Sequence, residues 1–284
     1  MTTIDSPVGV RPAPERSTAL ARYTNLCLEL AITQFKLKYT GSALGYFWSL
    51  LKPLMLFSIT YVVFIDIFKV DRGANANTEF GIQLLLGIVI WTFFAEATAG
   101  AIASVASQGG LVRKAAFPHI VLVVASTLTA LLTFTINLVL VVVVTWAIGH
   151  LHPGPRSVVA LPLLVELYVL VLGISLLLAA LFVYYRDVGH IWEVFAQLLF
   201  YGSAVVFPLS LLSGRVLPRL VGINPVAQII GDLRRALVID SPGVPWMVQF
   251  DGWLYVAPLV IVVATLVVGF AVFRRLSPHF AEAL

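Results

Sequence analysis

The sequence predicts an all-α polytopic membrane protein with six transmembrane helices, an N-terminal amphipathic interface helix and re-entrant external half-helices. Of its 284 residues, 60% are hydrophobic and only 11% are charged, whereas soluble domains carry about 25% charged residues. The mean hydropathy is +0.98, and six apolar stretches are each long enough for a bilayer core, which needs ~20 residues. The one cysteine, Cys27, excludes an internal disulfide.

The N-terminal part is expected to combine a flexible tail with a surface helix. Residues 1–18 are polar and rich in proline, which is typical of a flexible segment. Within 19–38, Leu28, Ile32 and Phe35 recur at spacings of four and three, as on one face of a helix. This helix either lies in the membrane interface or packs on neighbouring protein.

The junction between this helix and the first apolar run combines basic and aromatic residues. Basic side chains favour the anionic cytoplasmic leaflet, and Tyr and Trp favour the headgroup level. The pattern therefore predicts a surface helix that turns into the membrane. Lys52, just inside the run, either extends to the cytoplasmic surface or projects into a conduit and meets an anionic headgroup. The junction residues are Lys36, Lys38, Tyr39, Tyr46, Phe47, Trp48, Lys52 and Pro53.

Residues 19–284 are expected to form one transmembrane domain. With both termini in the cytoplasm, eleven Lys and Arg residues lie inside and seven outside, in accord with the positive-inside rule. Both termini are therefore expected in the cytoplasm, with the chain crossing the cytoplasmic membrane. The predicted spans are 44–68, 80–107, 118–149, 157–185, 189–212 and 252–273.

Two carboxylates, Glu96 and Glu166, lie deep within predicted spans. Ionised groups are costly there and usually face a polar interior. Glu96 and Glu166 are therefore candidates for the lining of a pathway. The alternative is a contact at a helix end or with a loop.

The long external segment, 213–251, has a helical signal of its own. Asn224 followed by Pro225 predicts a helix N-cap and the first helical residue. Apolar residues recur behind them at helical spacing, with Asp232 and Arg234 on other faces. A re-entrant pair of half-helices on the outer side of a pathway explains this pattern, and simple surface helices are the alternative.

The cytoplasmic break around residues 108–118 predicts a short helix over 111–117. Glycines end one span, and a Phe-Pro pair begins the next. A short helix with exposed basic residues suits docking to another protein, whereas a turn held by positive-inside charges is the alternative. The residues concerned are Leu111, Val112, Arg113, Lys114, Phe117 and Pro118.

The sequence lacks the residue patterns that are typical of nucleotide-binding, metal-binding and catalytic sites. No stretch matches the Gly-rich phosphate-binding loop that ends in Lys and Ser or Thr. His150 and His152 stand without nearby cysteines or carboxylates, so a metal site is not expected. No nucleophile can be paired with a base, and the halves show no inverted repeat of the kind found in secondary transporters. We therefore expect a non-catalytic protein without a metal or a cofactor of its own.

Four stretches together resemble one family, the permease subunits of type 2 ABC exporters, and in particular the Wzm-like polysaccharide exporters. Any one of the motifs is weak, but all four occur in the family's order, over about residues 20–275. The sequence departs from the family at Thr33 and Gln34, where Arg-Asp is usual, and at Lys38, where Arg is common. The matching stretches are 38–53, 111–118, 183–188 with its Arg186-Asp187 loop, and 223–234.

The resemblance implies a half-transporter. Two permeases would form a homodimer, and two copies of a separate ABC ATPase subunit, which binds ATP and Mg, would dock on the 111–118 helix. The conduit would follow the dimer axis, lined by the first, second and fifth spans, and Asn224, Pro225, Asp232 and Arg234 would belong to an external gate. Aromatic candidates for stacking on sugar rings are Phe57, Tyr61, Trp91, Phe93 and Phe94, for which lipid contact or core packing is the alternative.

The expected function is therefore ATP-driven export of a lipid-linked polysaccharide, such as an O-antigen or a cell-wall polymer. The lipid-linked end would enter near residues 36–52. An Arg-, Val- and Ala-rich composition favours an actinobacterial polymer such as the mycobacterial cell-wall galactan. Export of a small amphiphile, drug or lipid by the same fold is the alternative. Membrane lipids are expected partners, and nucleic acid is not.

Overall fold

The computed structural model describes residues 19–67, 74–110, 118–149, 155–206, 221–238 and 252–283. Every regular element in these ranges is helical, which confirms the predicted all-α class. The predicted 111–117 helix and most of the 213–251 segment lie outside the described residues. The main helices are α1 (Ala19–Tyr39), α2 (Phe47–Val62), α3 (Ala74–Ile102), α4 (Ile120–Ala147), α5 (Ala160–Tyr184), α6 (Val188–Gly202), α7 (Pro225–Leu237), α8 (Gly252–Leu276) and α9 (Phe280–Ala283).

Shorter helical turns extend several of these elements. A π-helical turn, Val63–Ile67, continues α2, and a 3-10 turn, Pro155–Val159, leads into α5. Ala106–Gln108 follows α3, and Ser277–His279 joins α8 to α9.

Five helices in the described ranges are long and apolar enough to cross a membrane. They are Phe47–Ile65, Thr78–Ile102, Ile120–Ala147, Ser157–Tyr184 and Val256–His279. The span predicted over 189–212 corresponds to α6, which ends at Gly202 and has 15 residues. That length gives about 22 Å, short of the ~30 Å hydrocarbon core. Six spans therefore remain a prediction.

The central helix of the bundle is α3, which packs on α2, α4, α5, α6 and α7. A helix that is apolar all round is buried by other helices, and most of α3 is buried in this way. Its largest fully buried side chains include Leu84, Leu86, Ile88, Ile90 and Phe94. Only a small part of α2 and α8 is buried, so both offer apolar surface to lipid or to another chain.

The closest helix crossing joins α5 and α8 through two glycines. A Cβ on Gly173 would lie 2.7 Å from the backbone of Leu266, and one on Gly269 would overlap the carbonyl of Gly173. Small residues allow membrane helices to approach backbone to backbone. These two helices are therefore fixed together along their middle.

The two ends of the bundle collect different segments. At one end, Phe280 is fully buried in a cluster with residues from the end of α3, the start of α4 and the end of α5. At the other end, α7 packs on α3, on α5 and on the turn before α5. The segments that the sequence assigns to the cytoplasm therefore lie at the end opposite the segment that it assigns to the outside.

Candidate functional site

The junction between α1 and α2 is held by three aromatic rings. Phe35 stacks on Tyr46 with ring centroids 5.3 Å apart, and Tyr39 lies 5.4 Å from Phe35 and 5.2 Å from Tyr46. The connecting turn contains Gly41 and Gly45 at φ values of +80° and +50°, which glycine adopts without strain. Tyr39, which the sequence suggested for substrate contact, is instead almost fully buried.

Lys38 and Glu96 form a salt bridge that joins the end of α1 to α3. Glu96 lies six residues before Ile102, where α3 ends, or about 9 Å along the helix. An ionised carboxylate in an apolar span is costly unless it is paired. The sequence indicated both residues, but it gave no sign that they pair, because they belong to different helices.

The charge of Lys38 is influenced by its surroundings. Burial lowers the pKa of Lys38 to about 8, and the neighbouring charge of Lys52 acts in the same direction. The carboxylate of Glu96 opposes this effect because it favours the charged form of the lysine. Lys52 is exposed, as are Lys36 and Trp48. The junction therefore presents several cations beside aromatic surface.

Helix α1 packs on α4 and makes polar contacts with it. The hydroxyl of Thr129 lies 3.3 Å from Oε1 of Gln34 and 3.2 Å from the carbonyl oxygen of Ala31. Gln34 stands where the resembling family usually has a charge. An uncharged amide suits this position because Thr129 is buried.

The five aromatic conduit candidates differ in exposure. Phe57 and Tyr61 are half-buried on α2, with ring centroids 5.5 Å apart. Trp91, Phe93 and Phe94 belong to the buried core. Their rings contact protein, which is the core-packing alternative that the sequence left open.

Sequence reasoning missed the residues that these core rings contact. Phe93 stacks on Phe134 at 4.7 Å, and Trp91 lies 5.5 Å from Phe200. Trp192, on α6, donates a hydrogen bond from Nε1 to the hydroxyl of Thr98 at 3.1 Å. Aromatic residues are common throughout such spans, so the sequence offered no signal for these particular pairs.

The N-cap predicted for the external helix is confirmed. The backbone N–H of Val226 donates to Oδ1 of Asn224 at 3.0 Å, and Pro225 is the first residue of α7. Nδ2 of Asn224 also donates to the hydroxyl of Ser203 at 2.8 Å, just beyond the end of α6. Asn224 thus caps one helix and ties it to another.

Arg234 is the most constrained charge in the described structure. Its Nε donates to the carbonyl of Gln83 at 2.9 Å, and its two terminal nitrogens donate to Ala204 at 2.9 Å and Val205 at 2.5 Å. The side chain is buried, and burial lowers the pKa of Arg234 to about 10, so it stays charged at neutral pH. The sequence placed Arg234 on a polar face of an amphipathic helix; the structure instead buries it.

Further polar residues accompany Arg234 at this end of the bundle. Nε2 of Gln228 donates to Oδ2 of Asp232 at 2.9 Å, and both residues are buried. Glu166, on α5, lies close enough to Asp232 for their charges to interact. Both intramembrane carboxylates predicted from the sequence therefore lie near other charges, Glu96 at one end and Glu166 at the other.

The loop between α5 and α6 is exposed at the end that carries the C terminus. Arg186 and Asp187 are both exposed, and the Arg186 guanidinium lies 5.1 Å from the centre of the Phe182 ring. His119 directly follows Pro118, and its ring lies 5.8 Å from that of Phe280. Residues 111–117, the predicted docking helix, lie outside the described residues, and Pro118 at their border is exposed.

Known proteins resemble this chain over most of its length. A family described as ABC-2 type transporter matches residues 25–238. The O-antigen export system permease protein RfbA of Myxococcus xanthus is 28% identical over 214 residues, which cover 74% of this chain and 79% of that protein. The RfbA permease of Klebsiella pneumoniae is 22% identical over 261 residues, which cover 92% of this chain and 95% of that protein.

The family match covers well over half of the chain and includes the α1–α2 junction, the salt bridge between α1 and α3, and helix α7. It agrees with a helical protein that has several membrane-crossing helices. Members of this family are the membrane subunits of transporters and are not themselves catalytic. The chain therefore belongs to the ABC-2 type transporter family.

Proposed function

We propose that this protein is the permease subunit of an ATP-driven transporter that exports a lipid-linked polysaccharide across the cytoplasmic membrane. The observation that carries this proposal is the alignment with O-antigen export permeases, which extends over 92% of this chain and 95% of the Klebsiella pneumoniae protein. An alignment of this length extends well beyond any single membrane helix.

The proposed assembly is a homodimer with two separate ATPase subunits. The exposed apolar surfaces of α2 and α8 leave room for a second copy. The 111–118 segment would receive the ATPase, and six spans with both termini in the cytoplasm would complete the topology. The position of His119 and of the α5–α6 loop at the end that carries the C terminus supports a shared cytoplasmic face.

The lipid-linked end of the substrate would be received at the α1–α2 junction. Exposed Lys36 and Lys52 suit phosphate groups, and exposed Trp48 suits the headgroup level of the membrane. Phe57 and Tyr61 continue this surface along α2. Sugar rings would contact the buried aromatic rings of α3 only when neighbouring helices move apart.

The external gate would include α7 and the rest of the 213–251 segment. Because Arg234 binds backbone of α3 and of the segment after α6, α7 would move with those helices. Opening would then separate the two protomers rather than detach α7 from its own bundle. The polymer that the composition favours is a cell-wall galactan.

The test is transport by the purified permease with its ATPase in sealed proteoliposomes. We expect ATP-dependent movement of a lipid-diphosphate-linked glycan, measured by protection from an added glycosidase. An ATPase variant that binds but does not hydrolyse ATP is the control. Movement of fluorescent phospholipids or dyes without any movement of the glycan would favour the alternative, export of a small amphiphile.

A further inference from the structure

Glu96 lies on an otherwise apolar part of α3, and its surroundings are cationic. Lys38 pairs with it from α1, and Lys52 on α2 is close enough to influence the charge of Lys38. No carboxylate pairs with Lys52 among the residues that the structure describes. Two lysines from two helices are therefore near enough for their charges to interact, only Lys38 is paired with a carboxylate in the described structure, and the three groups together keep a positive charge.

The position of Lys38 does not depend on Glu96 alone. Its ammonium lies 5.3 Å from the centre of the Tyr39 ring. Tyr39 in turn is held by Phe35 and Tyr46. Lys38 therefore stays at the α1–α2 junction if its carboxylate partner is withdrawn.

Both members of the pair can be reached from outside. The side chain of Lys38 is 32% exposed and that of Glu96 is 28% exposed. A phosphate group has several acceptor oxygens, and hydrogen bonds between ionised partners are about twice as strong as neutral ones. A diphosphate would attract both lysines and would repel the carboxylate that pairs with Lys38.

We propose that Lys38 and Lys52 bind the phosphate groups of an anionic lipid, and that Glu96 occupies this site as an internal counter-anion until the lipid arrives. The inference rests on the proposed function, in which the ligand is the diphosphate of a lipid-linked glycan. Displacement of Glu96 breaks the salt bridge between α1 and α3, so that binding of the headgroup loosens the interface helix from the central helix of the bundle.

Direct binding to the purified full-length permease tests this site. Permease in phosphatidylcholine nanodiscs is titrated with a short polyprenyl diphosphate, and affinity is measured for the wild type, Glu96→Gln, Lys38→Gln and Lys52→Gln. Glu96→Gln removes the competing anion, so we expect binding to tighten about fivefold or more. Each lysine variant loses a charge-assisted contact and is expected to bind about tenfold more weakly.

Glu29→Gln is the matched control, because Glu29 is an exposed acid on α1 away from the pair. Its affinity should equal that of the wild type. If Glu96→Gln binds no more tightly than the wild type, Glu96 is only a structural partner of Lys38 and the proposal is wrong. Should Glu96→Gln or Lys38→Gln unfold, Lys52→Gln decides, since Lys52 has no salt bridge to lose in the described structure; unchanged affinity in that variant overturns the site.

Competition identifies the source of the phosphate. Inorganic pyrophosphate that competes as well as the lipid would assign the site to free phosphate, and competition by phosphatidylglycerol in the nanodisc would assign it to ordinary headgroups. Glycan transport is measured separately. If diphosphate binding follows the expected pattern but no glycan moves, the proposed function fails alone; if glycan moves while Glu96→Gln leaves binding unchanged, this inference fails alone.

Discussion

Gly87 on α3 lies directly against the guanidinium of Arg234 on α7. A Cβ at this position would overlap Nη2 of Arg234 and would lie 3.0 Å from the carbonyl oxygen of Val205. The glycine therefore provides the space in which a buried charged side chain reaches three backbone carbonyls. The absence of one side chain on α3 permits the attachment of another helix.

Gly87→Ala is expected to destabilise the protein because the added methyl group displaces the guanidinium from its carbonyl partners. Overpacking combined with lost hydrogen bonds should cost about 2 kcal/mol or more. Thermal unfolding in detergent measures the effect. Gly202→Ala is the matched control, since a Cβ on Gly202 meets nothing within 4 Å. Equal melting temperatures for the two variants would contradict this account.

Arg234→Met should be more damaging, because it leaves the carbonyls of Gln83, Ala204 and Val205 without their donor. Loss of a buried charged donor is expected to cost about 3 kcal/mol. Unfolding is again the measurement, with transport assayed below the melting temperature. Arg274→Met, at an exposed arginine, is the control and should have almost no effect. If Arg234→Met lowers the free energy of unfolding only slightly, water must replace the guanidinium as the donor to these carbonyls.

Thr98→Val and Trp192→Phe should each lower stability by about 1 kcal/mol or more, since each removes one partner of the buried hydrogen bond between them, and Thr98→Val also removes the bond that Thr98 donates to the carbonyl of Phe94. The double variant should cost less than the sum of the two, because both changes remove the same bond. A double-mutant cycle of unfolding free energies measures this coupling. Strict additivity would mean that the two side chains act independently.

Arg113→Glu with Lys114→Glu is expected to abolish binding of the ATPase, because the predicted docking helix would then carry the opposite charge. Co-purification of tagged ATPase and its stimulated hydrolysis rate are the readouts. Arg274→Glu with Arg275→Glu, in the last turn of α8, is the control pair for a general charge effect. Normal binding and transport by the first pair would exclude docking through these residues.

Local features of the structure could be predicted from the sequence. The N-cap at Asn224 depends on residues within two positions of each other, so its signal is contained in a short stretch. Long apolar runs likewise predicted the helices now seen as α2, α3, α4, α5 and α8. Helix ends were less certain: the run predicted over 189–212 contains a helix that ends at Gly202.

Contacts between distant parts of the chain could not be predicted in this way. The sequence placed Arg234 on a polar face of an amphipathic helix, and only the carbonyls brought by α3 and the segment after α6 explain its burial. The pairing of Lys38 with Glu96 likewise requires α1 to lie beside α3. A single sequence holds no direct signal for either relationship, since each depends on how whole helices pack.

The close contact of α5 and α8 at two glycines limits which helices of the bundle can move relative to the others. With no side chain between the two backbones at Gly173 and Gly269, sliding one helix past the other would drive backbone atoms into each other. We therefore expect these two helices to move as one rigid unit with α3 and with α7, which Arg234 attaches to α3. Any rotation that widens a passage must then involve α1 and α2, and it must change the packing of α1 on α4, the packing of α2 on α3 and the ion pair between Lys38 and Glu96.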